Sequence, residues 1–197
     1  MEAVAVVGAY LVGAIPIAYL VARSASGVDL RTHGSRSVSG SNVGASSGFV
    51  PMAVAGVLDI AKGALAVLPV MDRPGWAALA AGAAVAGHNW SVFLGGSGGR
   101  GVGPALGATL VLAWPGTVVL AAGLAGGSLA RHTATGTFAA QAALPVVLGL
   151  TGGAAGAWLA VALVVPMWIK RIAADGPPPG GHRPGTLAFR LVHDHDR

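Results

Sequence analysis

Long apolar stretches separated by short polar, Gly- and Pro-bearing breaks set the pattern of this chain. Seven apolar segments stand out, at about 3–22, 48–70, 76–95, 102–114, 116–130, 134–151 and 153–169. Several approach the roughly 20 residues that an α-helix needs to cross a bilayer. The fourth and fifth are short and divided by Trp114-Pro115-Gly116, so they read either as one helical hairpin or as a pair of half-spans. The first segment does not read as a signal peptide, because its first basic residue is Arg23 and no basic stretch precedes the apolar run. The pattern predicts an all-α, polytopic integral membrane bundle over residues 1–172. A Pro/Gly-rich tail, 173–197, follows; it contains GPPPGGHRPG and ends in HDHDR, whose histidines read as solvated.

Composition agrees with lipid as the solvent. The chain is 54% hydrophobic and 10% charged, where soluble domains average about 25% charged. Its 32 glycines suit helices whose backbones approach closely, and G-x-x-x-G spacings at Gly103/Gly107, Gly123/Gly127 and Gly152/Gly156 read as packing motifs. The absence of cysteine excludes disulfides and thiolate metal sites. The formal charge of +5 would allow a nucleic-acid partner, but its placement argues otherwise. With the N-terminus outside, Arg23, Arg31, Arg36, Arg100, Arg131, Lys170, Arg171 and the tail arginines all fall on the inner side. Only Arg73 falls outside, and Lys62 lies within a span. That is the positive-inside pattern. It predicts a C-terminus inside, a multi-pass protein of the inner cell membrane, and no nucleic acid.

Three polar stretches interrupt the apolar design. The first inner loop, RTHGSRSVSGSNVGASSGF (31–49), offers Arg31, His33, Arg36, several serines and Asn42. Its glycines let backbone N–H groups converge on an anion, although a flexible linker has the same composition. LDIAKG (58–63) puts Asp59 and Lys62 about one turn apart within a span. Each charge there costs about 2.5–3.5 kcal/mol on insertion scales, so the pair is either an internal salt bridge or a substrate contact made by Lys62. GHNWSVFLGGSGGRGVG (87–103) contains a literal G-x-G-x-x-G. A dinucleotide fingerprint needs a strand before it and a βαβ unit around it, and no G-K-[ST] follows to make a P-loop. What remains is His88 near an inner helix end, and Arg100 in a Gly-rich loop before a helix N-terminus, an arrangement suited to phosphate.

HGS…NVGAS, LDIAKG and GHNWSVFLGGSGGRGVG resemble, in order and spacing, motifs of the bacterial acyl-phosphate:glycerol-3-phosphate acyltransferases, the PlsY family, over about residues 10–150. The resemblance implies a seven-span membrane enzyme that moves an acyl chain from acyl-phosphate to glycerol 3-phosphate, making lysophosphatidate for phospholipid synthesis. No metal or cofactor is implied. It assigns His33, Gly34, Ser35, Asn42, Gly44 and Ala45 to the first motif, with four to five residues inserted, so that Ser35 or Ser41 takes the family's serine position. Asp59 and Lys62 match the second motif, and His88, Gly98, Gly99, Arg100 and Gly101 the third. Arg131 matches the start of a later segment. The expected catalytic set is Ser35, Ser41, Asn42 and His88, with His88 either a base or a packing residue. The expected phosphate set is Arg31, Arg36, Gly44, Lys62, Gly98, Gly99, Arg100 and Gly101.

This chain also departs from the family's pattern. Ser46-Ser47 stands for Thr-Asn, Val50 for an arginine, Ser97 for a lysine and Ala134 for a serine. PMWIKRIA replaces a C-terminal H-R-x-N-I-x-R-L, keeping Ile169, Lys170 and Arg171 with apolar residues for the His and Asn. The competing readings are a catalytically impaired paralogue acting as a membrane regulator, and a small anion transporter; the latter should show internal repeat symmetry, and none is found.

Overall fold

A computed structural model describes residues 1–173; the Pro/Gly-rich tail with its terminal histidines lies outside the described residues. The regular elements among them are all helical. They are α1 (Glu2–Ala14), α2 (Ile17–Ser26), α3 (Gly40–Ser47), α4 (Phe49–Val67), α5 (Pro74–Asn89), α6 (Val102–Leu112), α7 (Trp114–Leu129) and α8 (Thr133–Ala173), with 3-10 turns at Leu68–Val70 and Val92–Leu94. Glu2–Ser26, Phe49–Val70, Pro74–Leu94 and Thr133–Ala173 are each long and apolar enough to cross a bilayer. Large apolar side chains such as Val7, Leu11, Val57, Leu65 and Trp158 are exposed on the outer surface, as expected where lipid is the solvent.

At 41 residues, α8 would be about 60 Å long if straight, twice the thickness of a hydrocarbon core. It folds back at Gly153, whose φ of 57° and ψ of −143° are not helical. The halves pack antiparallel: Arg171 donates to Thr137 Oγ1 at 2.7 Å, and the rings of Phe138 and Trp168 lie 5.7 Å apart. The break falls at the Thr151-Gly152-Gly153 connection expected from sequence. Gly152 itself has open space around it, whereas a methyl on Gly156 would strike the Leu148 carbonyl. Gly152/Gly156 is therefore a turn and one packing contact, not the helix-packing pair that its spacing suggests.

Between α6 and α7 the chain reverses at Ala113, and Thr117 Oγ1 donates across the turn to Thr109 Oγ1 at 3.0 Å. These two elements are thus a helical hairpin. The 11 residues of α6 span only about 16 Å. The reason is where it begins: Gly103 packs on Asp59 and Gly107 on Ile60 and Ala64, so α6 runs parallel to α4 and starts level with Asp59. Asp59 lies ten residues along α4 from Phe49, about 15 Å from that end. The loop between α5 and α6 therefore descends into the bundle.

The first apolar segment is not one continuous helix. Pro16 follows Ile15, whose ψ of 118° lies outside the helical range, as the steric clash ahead of a proline favours. Non-helical backbone at membrane depth survives only where its polar groups find partners inside the protein. Here side chains supply them. Lys62 donates to the Ile15 carbonyl at 2.9 Å, Ser91 to Ala14 at 2.6 Å and Tyr10 to Trp90 at 2.8 Å. The α1–α2 break, the end of α5, the descending loop and the start of α6 thus meet in one polar layer within an apolar bundle.

Candidate active site

The centre of the layer is Asp59, 2.8 Å from Lys62 Nζ and 3.6 Å from His88 Nδ1. Asp59 and Lys62 are both almost fully buried, at 4% and 3% exposure. Two charges so placed persist in a bundle only when each neutralises the other and the remaining donors are used. Lys62 meets both demands through Asp59 and Ile15.

Above Asp59 opens a cleft of about 170 Å³. Its polar side carries Arg100, Arg171, Ser39 and Ser41 together with Asp59 and His88; its apolar side is made by Ile60, Val102, Leu106 and Leu124. Arg100 is delivered by the descending loop. That loop is tightly seated: Gly99 donates to the His88 carbonyl at 3.0 Å, and a methyl on Gly99 would overlap His88 Nε2 and lie 2.7 Å from the Val38 carbonyl. Gly101 caps α6 at a φ of 78°, in the left-handed region that favours glycine. Arg171 reaches the cleft from the end of α8, held by the Ala134 carbonyl at 3.0 Å and Thr137 Oγ1 at 2.7 Å.

The first inner loop folds around Asn42. The Asn42 amide donates to the carbonyls of Leu30, His33 and Ser37 at 3.3, 3.0 and 3.0 Å. Asn42 is buried within this loop, outside the cleft lining. Asn42-Val43-Gly44-Ala45 lies in α3, which Gly48 at a φ of 90° separates from α4. Val38, in the inserted part of the loop, donates to the Gly98 carbonyl at 3.0 Å, which ties the two loops together.

Of the residues singled out from sequence, Ser41, Asp59, His88 and Arg100 come together on the cleft. Gly98, Gly99 and Gly101 shape the loop beneath Arg100, with a methyl on Gly98 excluded by the carbonyls of His88 and Asn89. Lys62 stands behind Asp59, on Ile15. Ser35 and Gly44 are not part of the cleft wall; Ser35 is enclosed by its own loop, and Gly44 packs beneath Met52. Arg36 is exposed, at a φ of 58°. Arg31 is paired bidentately with Asp29 at 2.7 and 3.0 Å and lies over Tyr19. That guanidinium, hydrogen-bonding the carboxylate, holds the Asp29 pKa down to about 2. Of the four catalytic residues expected, then, two line the cleft, and Lys62, Arg31 and Arg36 stand outside it.

Three cleft residues escaped the sequence reading of the site: Arg171, Thr133 and Thr137. Arg171 resembled a topological charge, and only its match to the family's C-terminal arginine hinted at more. Thr133 precedes Ala134, the position matched to the family's serine, and Thr137 follows one turn later with its hydroxyl on the carbonyls of Thr133 and Ala134.

Comparison with known proteins agrees with this architecture. The family model described as glycerol-3-phosphate acyltransferase matches residues 3–174. A glycerol-3-phosphate acyltransferase of Synechococcus sp. (strain CC9902) is 41% identical over 164 residues, covering 81% of this chain and 82% of that protein. Another, from Parasynechococcus marenigrum (strain WH8102), is 37% identical over 186 residues, 88% and 87% of the two chains. Among solved structures, the glycerol 3-phosphate form of PlsY (YgiH), an integral membrane glycerol 3-phosphate acyltransferase, superposes with a TM-score of 0.78 at 25% identity, covering 86% of this chain and 88% of that one. With a matching fold, a family model spanning nearly all the described residues and relatives near 40% identity, this multi-pass membrane protein belongs to the glycerol-3-phosphate acyltransferase family.

Proposed function

We propose that this chain transfers an acyl group from acyl-phosphate to the primary hydroxyl of glycerol 3-phosphate, producing lysophosphatidate and inorganic phosphate for phospholipid synthesis. We place the reaction on the inner side of the cell membrane, with the N-terminus outside and the C-terminal tail inside. The observation that carries this reading is the cleft itself: two arginines and two serine hydroxyls face an apolar wall at membrane depth. Both substrates carry phosphate, and the donor also carries a long hydrocarbon chain. Arg100 and Arg171 serve the phosphates through charge-assisted hydrogen bonds. Ile60, Leu106 and Leu124 serve the start of the chain.

In the reaction the primary hydroxyl oxygen bonds to the acyl carbon, the bond from that carbon to the phosphate oxygen breaks, and the hydroxyl proton departs on the released phosphate. Phosphate is a good leaving group, so holding the two substrates in register supplies much of the acceleration. Arg100 also stands where charge grows on the departing phosphate. His88 has its ring nitrogens against Asp59 and Gly99, and we read it as a positioning residue that seats the Arg100 loop. Asn42 likewise organises the serine-bearing loop, and the Asp59–Lys62 pair braces the floor.

The test is release of inorganic phosphate from palmitoyl phosphate by the purified protein in nanodiscs, with and without glycerol 3-phosphate. Release that depends on glycerol 3-phosphate and falls at least tenfold in Arg100→Ala is expected. Turnover indifferent to Arg100 would overturn the site assignment, and no turnover with any acceptor would make the chain a binding or regulatory relative.

A further inference from the structure

Ser39 lies in the inserted part of the first inner loop, at the N-cap of α3, with extended backbone at φ −127° and ψ 157°. Serine at this position ordinarily turns its hydroxyl back onto the helix's free N–H groups. Here it makes no such cap. Its Oγ instead lies 3.1 Å from Ser41 Oγ, and both residues line the cleft with Arg100. A hydroxyl has one donor and two acceptor sites. The pair satisfies one donor and one acceptor internally, leaving one O–H and several lone pairs to face a ligand.

This arrangement is held in place from behind. Val38 is buried at 3% exposure among Ala18, Leu30, Val43 and Ala55, and its N–H donates to the Gly98 carbonyl two residues before Arg100. One hydrogen bond therefore sets the serine pair against the arginine loop. A ligand whose phosphate rests on Arg100 would have Ser39 and Ser41 on the same cleft to receive its next oxygens. In glycerol 3-phosphate these are two hydroxyls on successive carbons, of which only the primary one is to be acylated.

We propose that Ser39 is the specificity-determining residue of the cleft, hydrogen-bonding the secondary hydroxyl of glycerol 3-phosphate and thereby presenting the primary hydroxyl to the acyl donor. This rests on the acyltransferase reading above. The test compares two acceptors in the full-length protein: glycerol 3-phosphate, and 3-hydroxypropyl phosphate, which lacks the secondary hydroxyl. Losing one neutral hydrogen bond corresponds to roughly a tenfold change. In Ser39→Ala the ratio of kcat/KM between the two acceptors should therefore fall about tenfold toward unity, and Ser39→Thr, which keeps the hydroxyl, should restore it. A ratio that holds in Ser39→Ala, including an equal loss on both acceptors, overturns the inference, as does a ratio that stays low in Ser39→Thr. If the unaltered protein acylates neither acceptor, it is the acyltransferase reading that fails.

Discussion

The ammonium of Lys62 lies 2.9 Å from the carbonyl of Ile15, forty-seven residues earlier in the chain. One side chain thus joins the break between α1 and α2 to the ion pair in the middle of α4. This contact resolves the ambiguity of a lysine buried in an apolar span: its donors are directed at Asp59 and at backbone freed by Pro16.

Removing that lysine should be costly. Lys62→Met takes from Asp59 its ammonium partner, a loss of about 3–5 kcal/mol for a buried pair broken on one side. Thermal unfolding in detergent should show a Tm lower by about 10 °C. Adding Asp59→Asn to the same chain should recover a good part of the loss, because the uncompensated charge is then gone. A Tm untouched by Lys62→Met would mean that the pair does not brace the bundle.

Arg171 should matter to substrate and not only to packing. Arg171→Gln removes a charged donor on the cleft, and hydrogen bonds to charged groups are worth about 1.5–3 kcal/mol. Initial rates against glycerol 3-phosphate should give a kcat/KM lower by roughly ten- to a hundredfold, mostly through KM. Thr137→Val, which removes only the hydroxyl that orients Arg171, should give a smaller loss in the same direction.

Two glycine substitutions should part company. In Gly99→Ala the new methyl would meet Nε2 of the buried His88 ring and the backbone carbonyl of the buried Val38. In Gly44→Ala it would meet Met52 Sδ at 2.7 Å, the far part of a flexible side chain. Phosphate release should collapse in the first and stay within about twofold in the second. Equal effects would show that the seating of the Arg100 loop is not what limits activity.

The Asp29–Arg31 clamp sets a pH expectation. Asp29 has a folded-state pKa of about 2, below its ordinary value of 3.8. A depressed carboxylate contributes its stability fully above the unfolded value and loses it as pH falls toward the folded one. The clamp's contribution to stability should therefore be level from pH 8 down to about 4 and decline between about 4 and 2. Thermal unfolding across that range, compared with Asp29→Asn, would show it, and a transition near neutral pH that Asp29→Asn removes would contradict it.

Much of the fold was legible because lipid imposes a strong rule: apolar length and the breaks between apolar runs gave the seven helical segments and the turns that join them. The Pro16 break was less visible, since Ile15 and its neighbours are as apolar as the rest of the segment. The depth of the Gly-rich loop was not legible at all, because it depends on Gly103 and Gly107 letting α6 lie against α4. Within the site, Arg100, His88 and Asp59 were identifiable from motif and chemistry. Ser41 and Ser35 could not be separated, because that choice depends on Asn42 gathering three carbonyls and folding the inserted residues inward. Arg171 and Thr137 become partners only when α8 doubles back at Gly153, a contact between positions thirty-four residues apart.

The descending loop has one more consequence. Asp59 and Lys62 lie about 15 Å in from the start of α4 and are themselves buried, so the cleft above them carries polar groups deep into an apolar bundle. Beyond the floor of that cleft lie the short α6 and its hairpin partner α7, packed closely through Gly107, Gly116 and Gly123. Across a bilayer, close packing at this place is what would keep water and ions from following the polar groups through. The small residues there are then insulation as much as architecture.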